Sequence, residues 1–140
     1  MRRRSQSNQR RGATLVEAAI IYPIAVLLTV GLMIFGMGVS RYNQVAGLAR
    51  EGARWASVHG AQYASDHPSG ISVSGTSIKD YLVTNKMAAM DSDALTVTAA
   101  WSPSNAKGGE VTVTVSYNWI PEAYWGSITF TSTSKAIVTY

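Results

Sequence analysis

One apolar run decides most of what this chain can become. From Ala18 to Val39 it reads AAIIYPIAVLLTVGLMIFGMGV, and between Arg11 and Arg41 the only side chain charged at neutral pH is Glu17. About 20 apolar residues make a helix long enough to cross a bilayer core of roughly 30 Å. A secretory signal has a shorter apolar centre, about 7–15 residues, with a small-x-small cleavage site behind it. The length of this run therefore points to an anchor. Arg2, Arg3, Arg4, Arg10 and Arg11 precede it. Lys/Arg bias of this kind keeps a terminus on the cytoplasmic side, so everything after about residue 40 is expected outside.

The net charge of +4 and the pI of 9.6 hide a partition. Residues 1–59 hold eight arginines against Glu17 and Glu51, net +6, whereas residues 60–140 hold four lysines against six carboxylates, net −2. The arginines abut an apolar span and are not interleaved with aromatics. That arrangement fits membrane orientation and contact with lipid, and it argues against a nucleic-acid partner. Charged residues are only 14% of the chain, against about 25% in a typical soluble domain. Without cysteine, neither a disulfide framework nor a thiolate site is available. The charge break and the apolar run divide the chain into a basic cytoplasmic leader (1–12), a transmembrane and extended helix (13–59) and a small outer domain (60–140).

Glu17 is the anomaly in the anchor. A carboxylate at mid-bilayer costs on the order of 2.5–3.5 kcal/mol even on lenient scales. Close to a helix start it costs less, because the helix dipole favours negative charge there. Glu17 can snorkel to the headgroups, or it can find a positive partner. Pro23 removes one backbone hydrogen bond and crowds the carbonyl of Ala19, which predicts a helix kink. Gly36 and Ser40 form a small-xxx-small pair suited to close helix approach.

Helical spacing continues past the span. In RYNQVAGLAREGARWASV (41–58), Tyr42, Val45, Ala46, Ala49, Ala53 and Ala56 share one face, while Arg41, Gln44, Glu51 and Arg54 point elsewhere. Glu51 and Arg54 are placed to pair at i, i+3. A helix from Ala13 to Val58 would be on the order of 70 Å long at 1.5 Å per residue. Residues 59–76 are Gly/Ser-rich and read as a loop. Ser77-Ile78-Lys79-Asp80 resembles a capping box ahead of a short helix carrying Tyr81, Leu82, Met87 and Met90. The period then changes to two. Leu95, Val97, Ala99 and Trp101 define one strand, and Val111, Val113, Val115, Tyr117 and Trp119 a second, joined through SPSNAKGG. A third strand begins at Ile128 and Phe130 and runs through Ala136 and Val138 to Tyr140, with a weakly patterned TSTS middle suited to a bulge or a sheet edge. The fold class is α+β: a long helix packed on a small antiparallel sheet of about three strands, with one short extra helix.

Enzymatic chemistry finds little support. His59 and His67 are the only histidines; with Asp66 they could be imagined as a metal site, but no third ordered ligand is apparent. The chain has no nucleophile elbow, P-loop or dinucleotide fingerprint, so no catalytic residue, metal site or cofactor is expected. Trp101, Trp119, Tyr124 and Trp125 would serve equally as a sugar- or partner-binding patch or as the end of the small core.

Several of these segments together resemble a known family. The stretch from Arg11 to Gly60 looks like the N-terminal domain of TadE-like proteins, minor pilin or pseudopilin components of the tight-adherence (Flp) pilus system. The resemblance rests on Gly12-Ala13-Thr14-Leu15-Val16-Glu17, on Pro23, on Phe35-Gly36 and above all on Ala49-Arg50-Glu51-Gly52-Ala53-Arg54. VTVTVSY (111–117), Pro121 and the final Ser/Thr-rich strand are also similar to the family's outer part. Gly12 ahead of Glu17 is similar to the broader type IV prepilin pattern, in which a membrane peptidase cuts after the glycine. Ala18 stands where many such chains carry an aromatic. The resemblance implies a bacterial inner-membrane, single-pass protein whose partners are other pilin-like subunits, the pilus assembly platform and a prepilin peptidase. It further implies that Gly12–Ala13 is the processing bond and that Glu17 neutralises a neighbouring subunit's terminal amine during assembly. The alternative, from the residues alone, is a permanently anchored envelope protein whose outer sheet is a binding module.

Overall fold

The computed structural model describes residues 6–67, 73–121 and 126–140. Arg2, Arg3 and Arg4, together with Tyr124 and Trp125, lie outside the described residues, as do the side chains of Arg10 and Arg11. The elements run α1 (Gln6–Val58), α2 (Ala61–Asp66), α3 (Gly75–Asn85), β1 (Leu95–Ser102), β2 (Glu110–Trp119) and β3 (Ile128–Ile137). Contacts divide the chain into two compact units, Met1–Gly38 and Val39–Tyr140.

The first unit is the amino-terminal part of α1. Helical structure continues through Pro23. Its large apolar side chains, among them Leu15, Ile20, Leu27, Leu32 and Phe35, are exposed. The helix is long and apolar enough to cross a membrane, with a window of mean hydropathy 2.4 that no described residue buries. An uncovered stretch of this length suits lipid rather than water.

The second unit is an α+β domain around one core. Its sheet is antiparallel in the order β1-β2-β3, so β2 is central. Leu95 faces Tyr117 and Trp101 faces Val111 across β1–β2. Glu110 faces Ile137 and Trp119 faces Ile128 across β2–β3. The two-residue period puts Val111, Val113, Val115 and Tyr117 on the buried face and Thr112, Thr114 and Ser116 on the other. From α1 the core takes Val45, Leu48, Ala49, Ala53 and Ala56, and from α3 Ile78 and Leu82. Of the apolar helix face read from the sequence, Tyr42 departs: it is exposed and meets Phe130 edge-on at 6.3 Å. Leu48 and Gly52 take interior places that the alanine spacing alone did not assign.

Three local readings are corrected. The Gly/Ser-rich stretch after α1 contains the short helix α2. Ser74, not Ser77, caps α3: the Ser77 amide donates to Ser74 Oγ (3.3 Å) and the Ser74 amide donates to Ser77 Oγ (3.0 Å). Ser77 thereby fills the place usually taken by Glu or Gln. The third correction is the end of β3, which stops at Ile137 rather than running on to Tyr140; it pairs residue for residue with β2, and its Ser/Thr-rich middle lies at the sheet edge, one of the two places expected for it.

The end of α1 is tied to the far end of the chain. The Ser57 carbonyl accepts from the Thr139 amide (2.8 Å) and from Thr139 Oγ1 (3.2 Å). These bonds satisfy a helix-end carbonyl that would otherwise lack a partner. Gly60 turns the chain from α1 into α2 where any Cβ would collide with the Tyr140 carbonyl and with Val138.

Candidate functional site

The sequence marked two places, one in each unit. In the first, Gly12 and Glu17 lie on α1 with both residues exposed. Glu17 therefore presents its carboxylate outward among uncovered apolar side chains, the situation in which an intramembrane charge calls for an external partner.

The second place is Ala49–Arg54, and here the fold assigns each residue a distinct task. Ala49 and Ala53 are buried to within 1%. Gly52 faces α3 and β2 so closely that a Cβ would stand 3.1 Å from Ile78 Cγ2 and 3.3 Å from both Leu82 Cδ1 and Val113 Cγ1. Glu51 reaches across to α3, where it accepts from Tyr81 Oη (3.0 Å) and pairs with Lys86 Nζ (3.2 Å). The i, i+3 pairing with Arg54 expected from spacing is thus replaced by a longer-range one. Hydrogen bonds from Lys86 and then Tyr81 hold the Glu51 carboxyl below its ordinary value, against a smaller opposing effect of desolvation. The Lys86 ammonium is raised in turn, first by its bond to Glu51. Arg50 and Arg54 are exposed; the Arg54 carbonyl accepts from Ser57 Oγ (2.8 Å), while neither guanidinium makes a hydrogen bond or ion pair with a described residue.

Beside this helix face lies a groove of about 300 Å³ between α1 and the segment after α3, lined by Leu48, Met87 and Met90 among others. Gln44 borders it, and its Oε1 is buried without a hydrogen-bond partner among the described residues.

Sequence reasoning missed an aromatic ladder at four-residue spacing. His59 stacks on Trp55 (centroids 4.1 Å), Trp55 stacks on Tyr81 (5.2 Å), Tyr63 meets His59 edge-on (4.4 Å) and His67 stacks on Tyr63 (4.3 Å). The i, i+4 recurrence of Trp55, His59, Tyr63 and His67 was the available signal. His59 Nδ1 lies 2.7 Å from the Trp55 carbonyl and His67 Nδ1 3.2 Å from the Tyr63 carbonyl. Asp66, the imagined third ligand, binds Tyr140 Oη (2.7 Å) and Gln62 Nε2 (3.1 Å) instead. Of the aromatic patch, Trp119 stacks on Phe130 (6.0 Å) and Trp101 is half-buried against the core.

An uncovered apolar helix leading into a small helix-backed antiparallel sheet defines a membrane-anchored α+β protein. Residues 12–54 match the family model described as TadE-like protein, as the motifs at Gly12–Glu17 and Ala49–Arg54 led us to expect. The chain matches no curated protein and no solved structure.

Proposed function

We propose that this protein is a TadE-like minor pilin or pseudopilin that contributes to assembly of a Flp-type pilus from the bacterial inner membrane. The observation that supports this reading is the extent of the family match. It begins at Gly12 and ends at Arg54, so it takes in the glycine–glutamate pair, the apolar span and the Ala49–Arg54 motif together. The protein's role in this reading is structural, with no turnover chemistry. Its partners are other pilin-like subunits, the assembly platform and the peptidase that would cut between Gly12 and Ala13. Cleavage there removes all five leader arginines, which takes the formal side-chain charge from +4 to −1. It also creates an α-amine one helical turn from Glu17. Glu17 then neutralises a neighbour's amine in a low-dielectric setting, where an ion pair is stronger than in water and costly to break.

Intact-mass measurement of the membrane-extracted protein, from cells with an active prepilin peptidase, tests the processing step. A chain beginning ATLVE is expected; an uncut chain would leave the anchored binding module as the better account. Glu17→Gln tests the assembly step. It should insert as well as the parent, or better, because a charge is removed from the span, yet enter the fibre or assembly complex less. Undiminished incorporation of Glu17→Gln would remove the glutamate from the mechanism.

A further inference from the structure

Contacts inside the second unit show which end of its sheet comes nearest the span. At the close of α1, the Ser57 carbonyl is bonded to Thr139, and the Ala61 amide donates to the Asn105 carbonyl in the β1–β2 connection (3.0 Å). Midway along, Gly52 faces Val113 of β2. Earlier on the same helix, Tyr42 meets Phe130, near the start of β3. β3 therefore runs beside α1 in the same direction, and the β2–β3 end, where Trp119 faces Ile128, lies at the Tyr42 end of the domain. The apolar run stops at Val39. Tyr42 stands about 4.5 Å beyond it along the helix axis, at 1.5 Å per residue. Ile128 lies back from Phe130 by about 7 Å of strand, which returns it to the level of Val39.

This end is apolar where a domain surrounded by water has no need to be. Tyr42, Ile120 and Ile128 are 52%, 67% and 39% exposed. Trp119 stacks on Phe130, and both are only half-buried against the core. Ring contacts and strand register join Tyr42, Phe130, Trp119 and Ile128, and Ile120 follows Trp119 in the chain. Single exposed hydrophobic residues are ordinary, but a contiguous patch marks an interaction site. Trp and Tyr gather at membrane–water boundaries because an apolar ring carries one polar group that stays wet. Neither the Trp119 indole N–H nor the Tyr42 hydroxyl has a hydrogen-bond partner among the described residues. The charges near this end belong to the opposite side of the sheet. Asp91 and Asp93 precede β1, which β2 separates from β3. Arg41 is turned to that same segment, where it donates to the Ala89 carbonyl.

We propose that the β2–β3 end of the outer domain rests on the bilayer that α1 crosses, with Tyr42, Trp119, Ile120, Ile128 and Phe130 seated in the headgroup–acyl boundary. The partner is a lipid surface, and what selects it is the position of the patch beside the residue where the span stops. The Asp91–Asp93 corner stays in water, so the domain sits with its β3 side down. A single helix leaves an outer domain free to swing; a second point of contact with lipid fixes its tilt. The contact needs only the span, so it holds for a pilin component and for a permanently anchored protein alike.

The chain has no cysteine, so a single label reports on one position. The full-length protein is placed one copy to a nanodisc of phosphatidylethanolamine and phosphatidylglycerol. It carries a fluorophore at Ile120→Cys, Ile128→Cys, Asp93→Cys or Lys107→Cys, each in a separate preparation. All four positions are exposed, and Lys107 lies in the β1–β2 connection at the far end of the sheet. Lipids with a nitroxide high on the acyl chain should quench the labels at 120 and 128 severalfold more than the label at 93, and the label at 107 least. Aqueous iodide should quench in the reverse order. Near-UV circular dichroism of each labelled chain confirms that the domain is folded. Lipid quenching as strong at 93 as at 120 and 128 shows nearness to the membrane without a seated patch and overturns the proposal. Iodide quenching as strong at 120 and 128 as at 107 overturns it as well. Labels at 120 and 128 shielded from both quenchers are covered by protein rather than lipid, which also overturns it. None of these outcomes bears on Glu17→Gln or on cleavage after Gly12, so the assembly reading stands or falls separately.

Discussion

Gly52 shows how one missing side chain can decide whether two helices and a sheet close together. Ile78, Leu82 and Val113 converge on the space a Cβ would occupy, at 3.1–3.3 Å. All three contacts are with ends of side chains, which can yield by a few tenths of an ångström, and Ala would gain about 1 kcal/mol of helix propensity over Gly. Gly52→Ala should therefore change stability little. Gly52→Val adds branched bulk in a filled space and should cost about 1–3 kcal/mol; an unfolding midpoint for Gly52→Val equal to that of Gly52→Ala would show that the contact is looser than described. Glu51 supplies a second prediction at this scale. Its lowered carboxyl contributes stability that is complete above the ordinary value of 4.5 and is lost as pH falls through the lowered one. The raised Lys86 contributes stability that is complete below 10.5 and is lost as pH rises through its raised value. The difference in unfolding midpoint between the parent and Glu51→Gln should then be level between those two pH values and shrink outside them. It will be small, because the two side chains are 29% and 43% exposed. The alanine face was readable from spacing because burial follows the helical period. The Glu51 partner was not, because Lys86 comes beside it only when α3 folds back, and i, i+3 geometry offered Arg54 as the local choice.

Among the elements, β2 was the most legible and α2 the least, with the start of α3 between them. Every second residue of β2 from Val111 to Tyr117 is buried, and a strand in the centre of a sheet with one covered face has no other way to place its valines. Val113→Asp should consequently unfold the outer domain, because an unpaired buried charge costs several kcal/mol. Thr112→Asp should be tolerated: it lies on the other face, across from Lys135 in the β3 register. Equal protease sensitivity of the two variants would contradict this register. The start of α3 was misplaced because Ser74-Gly75-Thr76-Ser77 contains several candidate caps and lacks the acidic N3 residue that usually singles one out. A serine hydroxyl makes the reciprocal bond instead. Nothing in the hydropathy of Ala61–Asp66 separates one short exposed helix from a loop; α2 buries no residue.

At the scale of the whole molecule, the two units Met1–Gly38 and Val39–Tyr140 differ in where their apolar side chains go. In the first unit the large hydrophobic side chains are exposed; in the second a set of them is buried in one core, and the described carboxylates beyond residue 60 stay at the surface or in polar pairs. The span and its class of fold were legible because lipid imposes a length and an apolar composition that no soluble helix of this exposure could keep. The groove between Gln44–Glu51 and Lys86–Met90 was not legible, because segments some 40 residues apart line it only after α3 has packed against α1. Charge bias gives the last prediction. Five arginines before the span and an outer block of net −2 favour an amino terminus in the cytoplasm and a carboxyl terminus outside. A reporter active only in the cytoplasm, fused after Tyr140, should stay silent, and one active only outside should be bright. Replacing Arg2, Arg3, Arg4, Arg10 and Arg11 by Gln should weaken that preference, since the asymmetry rests on them. Strong cytoplasmic activity in the unaltered chain would overturn the orientation, and with it the proposed assembly role of a domain that has to lie outside.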